Sequence, residues 1–464
     1  MKAKAAPKYS QATFLYPDLI DQLNPKDPLL ILAARIPWGR LETEFAPLYA
    51  ERGRPAKPVR LMVGLLLLKQ LANLSDERIV EEWRQNPYFQ AFCGMKTFQW
   101  QLPCEPSDFC HFRKRIGEKG MEKIFQISVE IHGNQALESE IVVDTTVQEK
   151  NVTFPTDTKL RVKVIARCWK IAKKESLVLR RSYRREVKKL LRTIRFNRNK
   201  NTKLRNSAMR RLKTIANALL NDISRKLSPE AKAKLCKDLE IYSRAVNQKR
   251  ADKNKIYSLH EPEVACIAKG KEHKKYEFGT KVALAQTITD GIIVGAQNAF
   301  NEYDGNCLAP LLDQIEKTTG KRPEKAYCDR GFRGKTDIGG TKIEIPDTSG
   351  KHMTSHYRRK AQGKFRRRSA IEAIISHVKH DFRMYRNYLK GTVGDTINLL
   401  LAAAAFNFKK WMRAIALEIF VHLFLQILVV RYCSHARAGG CAERVKPFFK
   451  GQLIYILSQN EAVF

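Results

Sequence analysis

Residues 141–147 read Ile-Val-Val-Asp-Thr-Thr-Val, and this run decides the fold. Six of the seven side chains branch at Cβ, which suits a pleated, buried strand and disfavours a helix. The chain before it, to about residue 135, has helical character instead. Pro58 to Ala72 (PVRLMVGLLLLKQLA) is a strongly apolar helix, and Ser75 followed by Asp76 and Glu77 supplies a cap and first-turn acids for another running through Trp83. The tight break between them has the form of a helix-turn-helix, a form common to any helical bundle and therefore weak as a sign of DNA recognition. Ser107 opens a further helix carrying Arg113, Lys114 and Arg115.

After the run, apolar residues such as Leu177, Val187, Leu190, Ile194, Leu212, Ile215 and Leu219 recur at helical intervals through a very basic stretch. Strands resume at Tyr276 to Thr289, and Asp290-Gly291 marks a hairpin into Ile292-Ile293-Val294. A helix from about Asn306 to Lys317 stops at Gly320, a strand spans Lys325 to Cys328, and Lys342 to Ile345 makes another. This order predicts an α/β protein: a mixed five-stranded sheet flanked by helices, with an N-terminal all-helical domain and a basic helical insertion. The expected divisions are 1–135, a catalytic region at 136–412 interrupted at about 158–255, and an apolar helix with a tail at 413–464.

Charge narrows the partner. The 464 residues hold 85 Lys+Arg against 47 Asp+Glu, a formal net charge of +38. Residues 161–255 alone contain 31 basic and 7 acidic residues, about +24 of that total. Such a surface attracts phosphate backbones, so a polyanion is expected, nucleic acid first and an anionic membrane second. Ala414 to Val430 is apolar but short, and Glu418, His422 and Gln426 recur in it at i+4, which marks one face of a packed helix and not a membrane span. The ten cysteines form no CxxC pair and the N-terminus lacks a secretory core, so reduced thiols in a cytoplasmic, nucleoid-associated protein are expected. Cys104, Cys110 and His111 lack a second pair to complete a zinc site.

The chemistry lies in three acids. Phe365 to Arg386 reads FRRRSAIEAIISHVKHDFRMYR; taken as one helix, it sets Phe365, Arg368, Glu372, Lys379, Arg383 and Arg386 on one face and Ile371, Ile375, Val378, Phe382 and Tyr385 on the next. Glu372 is then a lone carboxylate in a row of cations. Asp144 ends the apolar part of the first strand, and Asp329 directly follows the fourth. If those strands are neighbours, both aspartates emerge side by side under Glu372. Carboxylates that close need a cation, and oxygen-only ligands favour Mg²⁺ or Mn²⁺. Two such ions about 4 Å apart activate water or a hydroxyl and steady the leaving oxygen of a phosphodiester. Other chemistries fit poorly. A phosphate loop ending at Gly334-Lys335-Thr336 would need glycine where Asp329 stands, no GxSxG occurs, and His352 and His356 have no nucleophile beside them.

At these residues the chain resembles the DDE transposases of bacterial insertion sequences, in the group of IS-four and IS-five type elements. Phe365, Arg368, Glu372 and Lys379 follow that group's Tyr-Arg-Glu-Lys spacing, with Phe in place of Tyr. Asp329-Arg330-Gly331-Phe332 is similar to its second-aspartate motif and Val143-Asp144-Thr145-Thr146 to its first. The resemblance covers roughly residues 10–412. It implies an RNase H-like core with Asp144, Asp329 and Glu372 as catalytic metal ligands, and an insertion between the first two acids. It further implies that Arg368 and Lys379 contact DNA near the cut, where Arg383, Arg386 and Arg330 are expected to join them. The expected function is transposition: binding of terminal inverted repeats in double-stranded DNA, metal-dependent cleavage, and strand transfer to a target by a homodimer or larger assembly, with no membrane partner. A nuclease that never joins strands and a catalytically inactive DNA-binding relative are the alternatives.

Overall fold

The computed structural model describes residues 17–50, 52, 55–249, 251–268, 275–299, 303–346, 354, 356, 359 and 367–438, with the side chains of 367, 423 and 427–438 outside that description. His352 and Phe365 lie outside the described residues.

Among the described residues six helices come first: α1 (Pro28–Arg35), α2 (Trp38–Phe45), α3 (Val59–Leu71), α4 (Asp76–Gln85), α5 (Pro87–Phe92) and α6 (Pro106–Glu130). The expected cap is present, with Ser75 Oγ accepting from the Arg78 N–H at 3.1 Å. Helix α6 begins at Pro106 and not at Ser107, because Glu105 and Asp108 form a reciprocal capping box ahead of it. Where α3, α4 and α6 meet, Asp76 takes Lys69 at 2.7 Å and Arg113 at 2.6 Å. Burial raises the Asp76 pKa, but these two cations outweigh it and bring the group down to about 2.

The sheet has eight strands among the described residues, ordered β2-β3-β1-β5-β7-β6, with β4 also paired to β3 and β8 to β1. They are β1 (Glu140–Lys150), β2 (Ala265–Ala268), β3 (Tyr276–Thr287), β4 (Ile293–Asn298), β5 (Lys325–Tyr327), β6 (Asp337–Ile338), β7 (Thr341–Glu344) and β8 (Arg386–Asn387). The five expected strands are all there. The three added ones, β2, β6 and β8, are two to four residues long, too short to print an alternating pattern on the sequence. Strand β1 runs antiparallel to β3 and parallel to β5, so the first and fourth expected strands are indeed neighbours.

Between β1 and β2 stand four helices, α7 (Asp157–Lys174), α8 (Arg184–Phe196), α9 (Thr202–Lys226) and α10 (Pro229–Asn247). They close a core of their own around Val164, Ile165, Leu212, Leu219 and Val246. The N-terminal helices instead share one core with the sheet, from Leu32 and Trp83 through Val143 and Leu284 to Leu400.

Among the described residues the helices after the insertion are α11 (Leu308–Thr319), α12 (Ala370–His380) and α13 (Gly391–Ala438). Helix α11 buries Leu308, Leu311, Leu312 and Ile315 and ends at Gly320 in the left-handed region, φ 73°. The start of α13 is locked to the sheet by a buried network. Lys150 Nζ meets Asp395 at 2.8 Å and Glu261 at 3.4 Å, while Glu261 accepts from the Gly391 N–H at 3.0 Å. Beyond Met412, α13 leaves the core: Leu417, Phe420, Val421 and Phe424 are exposed along with Glu418, His422 and Gln426. Ile415, Ile419 and Leu425 are half-buried, so among the described side chains of this segment none is fully buried, in contrast to the expected packed face. No helix among the described residues is long and apolar enough to cross a membrane.

Candidate active site

The two aspartates are set by strand register. The parallel ladder pairs Glu140 with Lys325, Ile141 with Ala326 and Val142 with Tyr327; continued at the same offset it brings Asp144 level with Asp329. Lys325 Nζ and Tyr327 OH both reach the Glu140 carboxylate, at 2.7 and 3.2 Å, so alternate residues of the two strands share a face. Both aspartates are half-buried. Each has Oδ1 oriented by a main-chain donor at 2.8 Å, Thr145 N–H for Asp144 and Gly331 N–H for Asp329. For Asp329 that bond opens a single 3₁₀ turn at Arg330–Phe332, anchored by the fully buried Phe332.

Cys328 lies between these groups and registers them. Burial first, then Asp329, Cys307 and Asp144, push its thiol pKa well up, and Arg368 pulls it partly back. Asp144, Asp329 and Arg368 therefore lie within electrostatic reach of one sulfur atom. Arg368 Nη2 stands 4.0 Å from Glu372 Oε1. Its Nη1 is buried and finds no hydrogen-bond acceptor among the described residues. A buried guanidinium donor without a partner costs free energy unless something anionic completes it.

Glu372 sits in the first turn of α12, where the helix dipole favours a carboxylate. Its side chain is 69% exposed. Helix α12 packs on β1, with Ile371, Ile375 and Val378 buried. Among the described residues no three His, Cys, Asp or Glu side chains converge closely enough to hold a metal ion.

The continuous helix expected from Phe365 to Arg386 is broken, and its second half points elsewhere. Helix α12 ends at His380, and the α3–α4 corner takes carbonyls at and just past that end: Asn73 Nδ2 donates to His380 O at 2.9 Å and Gln70 Nε2 to Phe382 O at 2.7 Å. Arg383 adopts a left-handed backbone, φ 62°, and donates to Asn73 O at 3.0 Å. Arg386 belongs to β8, opposite Glu149. Neither shares the face of Glu372, and Tyr385 is exposed, not part of the buried stripe. Lys379, on α12, is half-buried, and Arg330 is exposed beside Asp329.

Two residues of this region were not singled out by sequence reasoning. Asp304 opens the 3₁₀ turn before α11 and pairs with Lys281 of β3. A lysine inside the buried run of β3 was the available signal, since a cation there needs a counter-ion.

Comparison with known proteins gives three matches. Residues 17–115 match the family described as Transposase domain (DUF772), and residues 247–408 match the Transposase DDE domain. The chain is 43% identical over 181 residues to the "Uncharacterized protein ORF8 in nfe locus" of Rhizobium meliloti, an overlap of 38% of this chain and 87% of that protein. No solved structure matches. Asp304, Asp329 and Glu372 fall inside the DDE match, whereas Asp144 and the helices α7–α10 fall between the two matched stretches.

Proposed function

Because this chain belongs to the DDE transposases of bacterial insertion sequences, we propose that it binds the inverted repeats at the ends of its element, cuts the DNA there and joins the freed 3′-hydroxyls to a target. The observation that carries this reading is the β1–β5 register, which runs Asp144 level with Asp329, with an Arg368 donor that has no acceptor among the described residues. We read the sheet as RNase H-like, the antiparallel β4-β3-β1 followed by the parallel β5 and β7.

The donor set suits a hard divalent cation, being three carboxylates with no sulfur or imidazole. Asp144, Asp329 and Glu372 would hold Mg²⁺ or Mn²⁺, which when bound activates the attacking oxygen and stabilises the leaving one. The residues of the chain itself do the rest. The Thr145 and Gly331 N–H groups hold the two aspartates in fixed orientation. Glu372, on the exposed first turn of α12, is the third carboxylate of the proposed set. Arg368 gives its unused N–H to a phosphate oxygen and Lys379 lends its charge along the same helix. Arg330 takes the phosphate next to Asp329, and Arg383 and Arg386 act on DNA further out.

The helices α7–α10 form the arm that grips the duplex by charge, and the N-terminal domain contributes to end binding. Two ends held together call for a homodimer or larger assembly, working on chromosomal DNA in the cytoplasm. The test uses duplexes carrying the element's ends with Mg²⁺. Asp144→Asn, Asp329→Asn and Glu372→Gln each abolish cleavage while a gel shift on the same duplex persists; cleavage that survives any one of them removes that residue from the set. Joined products on a supercoiled target are expected, and their absence beside efficient cutting would make the protein a nuclease only.

A further inference from the structure

The ion pair between Lys281 and Asp304 stands against the loop that carries Asp329. Both side chains are only 17% exposed. Lys281 lies on β3 opposite Val147 of β1, next to the buried Val282, Ala283, Leu284 and Ala285. Asp304 uses Oδ1 for the lysine, and its Oδ2 faces Gly331. A Cβ built on Gly331 would lie 2.7 Å from Asp304 Oδ2 and 2.9 Å from Asp329 Oδ1, so the two carboxylates approach each other across a residue with no room for a side chain. The same segment grips the loop elsewhere: Tyr303 OH donates to Arg333 O, and Cys307 Sγ donates to Asp304 O at 2.9 Å, bracing the turn.

Ion pairs taken out of water give little net stability, because desolvation offsets their attraction. What such a pair does supply is a fixed position. We propose that Lys281 and Asp304 are positioning residues for Asp329: Lys281 fixes the Asp304 carboxylate, whose outer oxygen packs on Gly331 and holds the turn in which Gly331 N–H orients Asp329. Because β3 is in register with β1, the lysine ties that turn to the strand bearing Asp144. The pair thus sets the spacing of the first two acids from outside the ligand set. This inference rests on the assignment of Asp329 as catalytic.

The experiment compares full-length wild type with Asp304→Asn, Lys281→Met, the double variant, Gly331→Ala and Lys281→Arg. End duplex with Mg²⁺ is the substrate, and amide exchange is followed on the peptide covering 325–336. A displacement of about 1 Å at a reacting group costs on the order of 10²-fold in rate. Accordingly, kcat falls about 10²-fold in Asp304→Asn, Lys281→Met and Gly331→Ala, with KM for the duplex within about twofold of wild type. The double variant is no slower than the slower single one, as two members of one device require. Lys281→Arg, which keeps the charge, recovers kcat to within roughly tenfold of wild type. Exchange accelerates in 325–336 but not in β1 or β3. Wild-type kcat in Asp304→Asn overturns the proposal, as does loss of protection throughout the sheet together with lost DNA binding, which would make the pair a stability element. If Asp329→Asn itself still cuts, the catalytic assignment has failed; if Asp329→Asn is dead and Asp304→Asn cuts normally, only the positioning role has.

Discussion

The four helices α7–α10 close a core separate from the rest of the molecule, around Val164, Leu212 and Leu219, whereas the N-terminal helices are built into the same core as the sheet. The stretch containing the first group carries about +24 of the net charge and lies, up to residue 246, between the two family matches. The sheet carries Asp144 and Asp329 in a geometry fixed by hydrogen-bond register. The contrast teaches a division of labour. Charge on a self-contained module acts at long range and tolerates variation, because phosphate attraction depends on the number of cations more than on their exact placement. Carboxylates meant to share a cation tolerate no slippage, since a one-residue shift in a strand turns its side chains to the other face.

That division can be broken first at the chemistry. Asp329→Asn is expected to lower cleavage by about 10³-fold or more, the loss of several kcal/mol of transition-state stabilisation, while duplex affinity stays within about twofold. A parallel loss of binding would erase the distinction between the two regions. The reciprocal change is smaller. Arg185, Lys188, Arg192 and Arg195 all project from α8 into solvent; changing the four to Gln should weaken duplex binding roughly 10²-fold and flatten the log–log salt dependence by roughly 3 to 4, near 0.9 for each phosphate no longer neutralised. Cleavage at saturating DNA should not change, as rates measured across a salt series would verify.

The smallest expected effect concerns the shared core. Asp76 is held down to about 2 against an ordinary 3.8, so its stabilising contribution is complete above pH 3.8 and is lost as pH falls through about 2. The difference corresponds to about 2 kcal/mol. Acid unfolding followed by circular dichroism should show this slope in the wild type, and Asp76→Asn should flatten it. The insertion has its own core and should keep its helical signal in that variant, which sharpens the comparison between the regions.

Much of this was legible in the sequence because it is local. The β-branched run at 141–147, the Ser75 cap and the Gly320 stop each act within a few residues, and the α7–α10 helices announce themselves by apolar spacing. The adjacency of β1 and β5 stood in the sequence only as a condition for bringing Asp144 and Asp329 together, and the sheet meets it. What escaped was set by distant partners. Where α12 stops at His380, Asn73 and Gln70, some three hundred residues earlier, donate to the His380 and Phe382 carbonyls, and nothing in residues 365–386 encodes that. Arg383 consequently turns to the N-terminal helices instead of lining the site. Asp304 was not singled out because its counter-ion, Lys281, lies on a strand distant in the chain.

The α4 surface shows the same limit from the other side. Its caps were readable, but its exposed side pairs Arg78 with Glu82 and Arg84 with Glu81, a mixed-charge face unlike the one-signed face of α8. The candidate helix-turn-helix therefore has less to offer a phosphate backbone than the insertion does.

The proposed sharing of one ion by Asp144 and Asp329 is tested without reference to activity by Mn²⁺ titration calorimetry on wild type, Asp144→Asn, Asp329→Asn and the double variant. Each single substitution is predicted to remove most of the wild-type affinity, and the double variant to lose no more than either alone, as two ligands of one cation must. Wild-type Mn²⁺ affinity in either single variant, or losses that simply add, would contradict it.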